Sequence, residues 1–498
     1  MLKRIAAALL AALAAVCLAS CADQADESPA SADVTEISVY EGGIIDGSGV
    51  FTEEDLTQSY DLSHAVVCEL QSGKDITITK SGIYVISGEA EDSQIIVQAK
   101  TGDSVILVLA GAVIENEDRP CIYVVMGDKV ILQTAEGSVN ELTVTGDLSQ
   151  DGTSNLDAAV FSEEDLTLNG HGKLTVNSTD NGIACKDDLK LTGGDLYVNA
   201  VSDALEAGDS VSVADGSITI VSDKDGLHSE TSEREDTGSV YICGGDIDIT
   251  ADDDAVHAVT ALEIDGGNIS VNAGEGLEGT YVQINGGDID IQAEDDAINA
   301  ANKSSEYATV AEINGGTLKI SMAQGDTDAI DSNGSLYING GTVDITGQNA
   351  FDYTGEGKLN GGTVTVNGEE VTELTNQFAG MQGGMPEMAE DGERPEMPSD
   401  GEMPEPPSDG EKPERPSDGE MPEPPSDGER PERPSDGERP EMPTDGGMPG
   451  APGNEEAAAD TGTDSSMIII CVVIAAAAAI VAGIIAKSRR GWIKGKKE

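Results

Sequence analysis

The sequence predicts an all-β fold, a right-handed parallel β-helix with about three sides and roughly 22 residues per rung. Three observations predict it. First, a small-residue corner recurs through residues 166–367, its second glycine falling at 172, 194, 216, 245, 267, 287, 316, 341 and 362. Second, each corner joins two short runs that alternate apolar and polar, as in LKLTGGDLYVNA at 189–200 and VQINGGDIDIQA at 282–293. That alternation has the period of a strand. Third, aromatics are only 3% of the chain. That is thin for a conventional core but suits stacked rungs filled with Val, Ile, Leu and Ala. No rung buries its apolar face alone, whereas stacked neighbours do. The glycine pair permits the positive φ of a tight corner. A leucine-rich repeat lacks support, because the Leu/Asn spacing is missing.

The elements follow in order. Residues 1–20 read as a signal peptide, with Lys3 and Arg4 before a short apolar stretch. It ends Leu18-Ala19-Ser20-Cys21, a lipobox-like pattern that makes Cys21 the expected lipidation site. Residues 21–34 are a flexible tether. Residues 35–150 alternate without the glycine marker and are expected to form irregular rungs or a cap. Residues 151–378 carry the regular rungs. Residues 379–465 form an acidic Pro-rich linker, in which Pro-Ser-Asp-Gly-Glu recurs every nine residues from 398 to 438. Such a tract builds no core and is expected to be disordered. Residues 467–486 are uncharged and long enough for a transmembrane helix. The basic tail at 487–498 should then face the cytoplasm. The whole reads as a protein of the extracellular face of a bacterial membrane, attached at both ends. Four cysteines lie between the anchors, at 68, 121, 185 and 243. Their spacing fits no zinc pattern, and buried thiols are the slightly favoured reading over disulfides.

The chain holds 94 acidic and 27 basic side chains, a net charge of −67. This excludes a nucleic-acid partner, which needs a basic face. The charge is also patterned. A second corner recurs as Asp203-Ala-Leu-Glu206, Asp225-Gly-Leu-His228, Asp254-Ala-Val-His257, Glu275-Gly-Leu-Glu278, Asp296-Ala-Ile-Asn299 and Asp328-Ala-Ile-Asp331. Stacked rungs would place these carboxylates in a file about 4.8 Å apart. Asp223, Asp252, Asp253, Asp295 and Asp326 crowd the same corner. Part of this is ordinary turn chemistry, because Asp accepts from nearby backbone. Ionised Asp has no donor, however, so neighbours at that spacing raise one another's pKa or take a cation. Ca²⁺ is the expected ion, held by Asp203, Glu206, Asp225, Asp254, Glu275, Glu278, Asp296, Asp328 and Asp331. His228 and His257 fall in one column and could chelate a softer metal, although stacked histidines are more often incidental.

Residues 157–172, DAAVFSEEDLTLNGHG, followed by NGIACKDDL at 181–189 and the repeated corners, resemble the clostridial-type carbohydrate-binding domain family. The resemblance covers about residues 60–367. It implies a Ca²⁺-containing, polysaccharide-lyase-like β-helix that binds acidic polysaccharide without catalytic duty. Glu275 in place of Asp, the Asn corners at 181 and 349, and Cys185 and Cys243 at strand positions depart from the pattern and leave open which rungs hold metal.

The expected function is therefore non-catalytic, Ca²⁺-dependent binding of a uronate-type polysaccharide. An acidic face repels uronates unless a cation bridges them. Tyr197, Tyr241 and Tyr337, with Tyr281, are candidate sugar contacts, with cross-strand packing as the plainer account. A lyase would need a base near the sugar. The candidates Lys186 and Lys224 are flanked by carboxylates that push a lysine pKa the wrong way for a base. A surface adhesin or spacer without a glycan ligand is the third reading.

Overall fold

The computed structural model describes residues 33–376, apart from Thr153, residues 231–236 and Asp326. The chain divides into two units, 1–394 and 395–498, and all described residues lie in the first. The described residues are all-β, with 32 strands in one hydrogen-bonded sheet. Strands pair in parallel with strands about one turn along the chain. The exception among them is the terminal return of Glu369–Val371 against Thr363–Val366, which is antiparallel.

Three parallel ladders form the wall. One runs through Lys129–Thr134, Leu166–Gly170 and Ser239–Ile242 to Gly357–Leu359. A second runs through Lys173–Ser178, Asp246–Ala251 and Asp288–Ala293 to Thr363–Val366. The third contains Asn181–Cys185, Leu205–Ala207, Leu227–Ser229 and Asp328–Ser332. Along Asp246–Ala251 every second residue is buried, so Ile247, Ile249 and Ala251 point inward. Repeating this on every turn fuses the aliphatic side chains into one core from Leu70 to Leu374. Each buried Val, Leu or Ile contributes roughly 1.5–3 kcal/mol relative to exposure. Turn-on-turn stacking thus replaces the aromatics that the chain lacks.

The glycine corners have the backbone they require. Gly245, Gly267 and Gly287 have φ of 96°, 101° and 92°. In the turn at 170–172 the left-handed residue is Gly170 rather than Gly172.

The fold class expected from the sequence needs correction. The described residues form an all-β, parallel, barrel-like tube with additional strands, in place of a uniform right-handed three-sided β-helix extended by a linker and a membrane helix. No helix among them is long and apolar enough to cross a membrane. The span expected at 467–486 and the linker at 379–465 lie outside the described residues, as do Cys21 and the signal peptide.

The segment expected to begin the rungs differs as well. Residues 33–65 lie as a strap across the first ladder, and the first strand is Val66–Glu69. Three short helical turns interrupt the strap, each capped by an oxygen side chain from Asp46, Thr52 or Asp61. At Thr52 the cap is reciprocal with Asp55, which favours a helix start over a strand.

The strap is pinned by long-range bonds. Ile44 and Ile45 donate to Gln283 and Glu263 at 2.9 and 2.6 Å. Gln58 donates to the Thr192 carbonyl at 2.9 Å. Asp55 is fully buried and bonds Lys129 and Thr167, each at 2.8 Å.

All four described cysteines are free thiols. Burial pushes the Cys121 thiol up to about 12, which leaves it unreactive.

Candidate functional site at the acidic corner

The recurring Asp-(Ala/Gly)-(Ile/Leu/Val) tetrads open the third ladder. Parallel register divides their polar residues into two adjacent files. The first holds Asp203, Asp225, Asp254, Glu275, Asp296 and Asp328, with Asn181 and Asn349 at its flanks. The second lies three residues on. It holds Glu206, His228, His257, Glu278, Asn299, Asp331 and Asp352. All nine residues expected to bind metal therefore sit at this corner, divided between the two files.

The first file has a structural duty. The Oδ1 of Asp203 accepts the N–H of Asp225 at 3.1 Å, and the Oδ1 of Asp225 accepts that of Asp254 at 3.0 Å. Asp296 does the same for Asp328 at 3.0 Å. Each such aspartate spends one oxygen on the next turn's backbone. The second oxygens define the chemistry of the site.

Around the two histidines those oxygens converge. His228 Nδ1 is 2.8 Å from Asp203 Oδ2 and 3.3 Å from Asp225 Oδ2. His257 Nδ1 is 2.8 Å from Asp254 Oδ2, 3.4 Å from Glu278 Oε2 and 3.6 Å from Asp225 Oδ2. The two imidazoles stack with centroids 4.8 Å apart. Lys303 donates to Glu278 Oε2 at 2.7 Å. Asn299 donates to Glu275 and Glu278 at 2.9 and 3.1 Å. Asn181 donates to Glu206.

Crowding shows in the titration of these groups. Burial would raise Asp203, but the His228 hydrogen bond and charge outweigh it and hold the carboxyl below its usual range. Asp254 is pushed up by burial and by Glu278. Further along, burial and neighbouring carboxylates push Asp296 up to about 7 and Asp331 up to about 6. These sites are short of positive charge.

Three sets of donors converge closely enough to share an ion, each within 4.8 Å. One is oxygen-only, Asp225, Asp253 and Asp254. The others are Asp254, His257 and Glu278, and Asp225, His228 and His257. Asp253 is exposed, which opens the oxygen-only set to solvent. The sequence places both histidines in one column without marking a role for them. The signal available was their placement three residues after Asp225 and Asp254, where Glu206 and Glu278 stand on adjacent turns.

The tyrosines lie elsewhere. Tyr241 is only 1% exposed, packs 6.3 Å from the Phe51 ring of the strap and donates to Asp265 at 2.8 Å. It is corrected from a sugar contact to a buried strap anchor. Tyr197 is half-buried on the second ladder, beside Thr175 and Thr219. Tyr337 is half-buried on the first ladder, beyond the strap, and donates to Glu356 at 3.3 Å. The fold does not bring these tyrosines to the acidic corner. Lys186, one candidate base, places its Nζ 5.2 Å from the Phe161 ring centroid.

A family profile described as carbohydrate-binding domain-containing protein matches residues 72–329 and 279–385, more than half of the chain. The chain belongs to this carbohydrate-binding domain family. A member of the same description from Acetivibrio thermocellus is 38% identical over 134 residues, which cover 26% of this chain and 46% of that one. The chain thus spans under half the length of that relative. A solved polysaccharide lyase-like protein from C. thermocellum, a gadolinium derivative, is 26% identical. It aligns over 59% of this chain and 99% of its own with a TM-score of 0.36. Within the carbohydrate-binding domain, the acidic corner occupies the turns from 203 to 331, inside the matched residues.

Proposed function

We propose that the chain is a non-catalytic binder of acidic, uronate-type polysaccharide, that its binding depends on Ca²⁺, and that it works at the extracellular face of a bacterial membrane with a lipid on Cys21. Membership of the carbohydrate-binding family supports the coarse reading. The oxygen-only set supports the finer one. Asp225, Asp253 and Asp254 offer hard oxygens within 4.8 Å of one another, with Asp253 exposed. These donors fit Ca²⁺, which takes carboxylate oxygens in flexible geometry. Glu275, Asp296, Asp328 and Asp331 continue the oxygen supply along the files. A bound Ca²⁺ would supply the positive charge that lets a carboxylate-lined surface accept a sugar carboxylate.

Lys303, the lysine bonded to the corner, is not placed as a base. Burial would lower Lys303, but its bond to Glu278 outweighs this and raises its pKa, so it stays protonated.

A glycan array probed with the full chain tests this reading. The expected result is capture of polygalacturonate-type glycans in Ca²⁺ and loss of capture in chelator. Capture of neutral glycans alone, or chelator-insensitive binding, would contradict it.

A further inference from the structure

Ca²⁺ chemistry leaves two side chains at the corner without a role. His228 and His257 stand in a file otherwise made of Glu, Asp and Asn. The environment of His257 Nδ1 is unusual. Asp254 Oδ2, Glu278 Oε2 and Asp225 Oδ2 approach it at 2.8, 3.4 and 3.6 Å. One imidazole nitrogen makes one in-plane bond, as donor or acceptor, so three hydrogen bonds are not available to it.

The three carboxylates are also deeply buried, their side chains 7%, 5% and 8% exposed. Lys303 reaches Glu278. Asp225 is the odd one. Its Oδ1 is used by the Asp254 N–H. Its Oδ2 points between His228 and His257, at 3.3 and 3.6 Å. Each of those ring nitrogens has its 2.8 Å contact to a different carboxylate, Asp203 or Asp254. Asp225 therefore aims a buried carboxylate oxygen into the cluster without a short bond of its own.

The spacing has a simple reading. Tetrahedral Zn²⁺ holds N and O ligands at about 2.0–2.2 Å, which sets ligand–ligand edges of roughly 3.3–3.6 Å. The contacts of His257 Nδ1 to Glu278 and Asp225, at 3.4 and 3.6 Å, fall in that range, while the 2.8 Å contact to Asp254 is a hydrogen bond that a bound ion would replace. Ca²⁺ prefers oxygen alone and bonds of about 2.3–2.6 Å. Imidazole and carboxylate together suit a borderline ion. His257 Nε2 is buried and makes no hydrogen bond. A neutral ring is thus free to carry its proton on Nε2 and turn the Nδ1 lone pair into the cluster.

We propose that Asp225, Asp254, His257 and Glu278 form a site for one divalent transition-metal ion of the Zn²⁺ class, flanked by His228 on the preceding turn. The site shares Asp225 and Asp254 with the oxygen-only set, so the two ions would compete there, but it does not depend on a glycan.

The test uses the full chain, stripped of metal and titrated with Zn²⁺ alone against a chromophoric chelator, in the absence of Ca²⁺. Uptake of one Zn²⁺ per chain is expected. His257→Ala should weaken it by about tenfold or more, since even outer-shell partners carry that much. Asp248→Asn, on the exposed face of the second ladder, should leave it unchanged. Zinc-edge X-ray absorption of the unaltered chain should show imidazole scattering, a readout that stands even where a variant misfolds. No uptake, equal uptake by His257→Ala when that variant folds, or an oxygen-only metal shell would each overturn the proposal.

Discussion

Asp55→Ala is expected to destabilise the docked strap by roughly 3–5 kcal/mol, the cost of removing one partner from a buried ion pair. Asp55 is 0% exposed, and its carboxylate bonds Lys129 Nζ at 2.8 Å. Lys190 Nζ is 3.8 Å away with a side chain only 9% exposed. Without Asp55 both ammonium groups would remain among packed side chains with less compensation. The substitution also removes the reciprocal bonds of Thr52 and the Thr167 contact.

The loss should appear as faster amide exchange at Ile44 and Ile45, whose N–H groups hold the strap down, and as a lower denaturant midpoint. Unchanged exchange there would refute the role. The same group sets a pH effect. Burial would raise its carboxyl, but the bonds from Lys129, Thr52 and Thr167 outweigh this and hold it below the ordinary 3.8. A carboxyl depressed in the fold contributes stability that is present above its unfolded pKa. That stability is lost as pH falls through the folded value. The Asp55 contribution to strap protection should therefore be lost only in acid below about pH 4.

Gly316→Ala should cost roughly 2–5 kcal/mol, combining a left-handed non-glycine residue with overpacking. Gly316 has φ of 80°. A Cβ there would stand 2.8 Å from the carbonyl carbon and oxygen of Gly286 and from the oxygen of Gly287. All three are backbone atoms of the preceding turn, so no side chain can swing aside. Because each turn rests on its neighbours, the variant should unfold at a clearly lower denaturant concentration. An unaltered midpoint would show that the corner can relax.

These two sites differ in how far the sequence reveals them. Gly316 belongs to a feature that repeats on every turn, and its neighbours in space are its counterparts in the repeat. Register therefore turns a spacing along the chain into a contact. The same holds for Asp203, Asp225 and Asp254, whose stacking was readable as a file. The strap has no such signal. Ile45 bonds Glu263, 218 residues away, and neither residue marks the other by period. Tyr241 was misjudged for that reason, because the strap is what buries it. The histidine pair was visible but appears on only two adjacent turns, too few to stand out as a repeat. Turn chemistry predicts an Asp that accepts from backbone two residues on, whereas the Oδ1 atoms of Asp203, Asp225 and Asp296 accept from the next turn. The convergence of the Oδ2 atoms on the imidazoles requires side-chain directions that spacing does not supply.

In the proposed function, Ca²⁺ on the acidic corner lets this carbohydrate-binding chain accept an acidic glycan. Calorimetric titration of galacturonate oligomers into the full chain tests it most directly, in Ca²⁺, in chelator and with Asp253→Asn in Ca²⁺. Asp253 is exposed and outside the core, so its substitution should leave the fold intact. The predicted result is saturable binding in Ca²⁺, none in chelator and weakening of about tenfold or more in the variant, equivalent to about 1.4 kcal/mol. Equal binding under all three conditions would contradict the account.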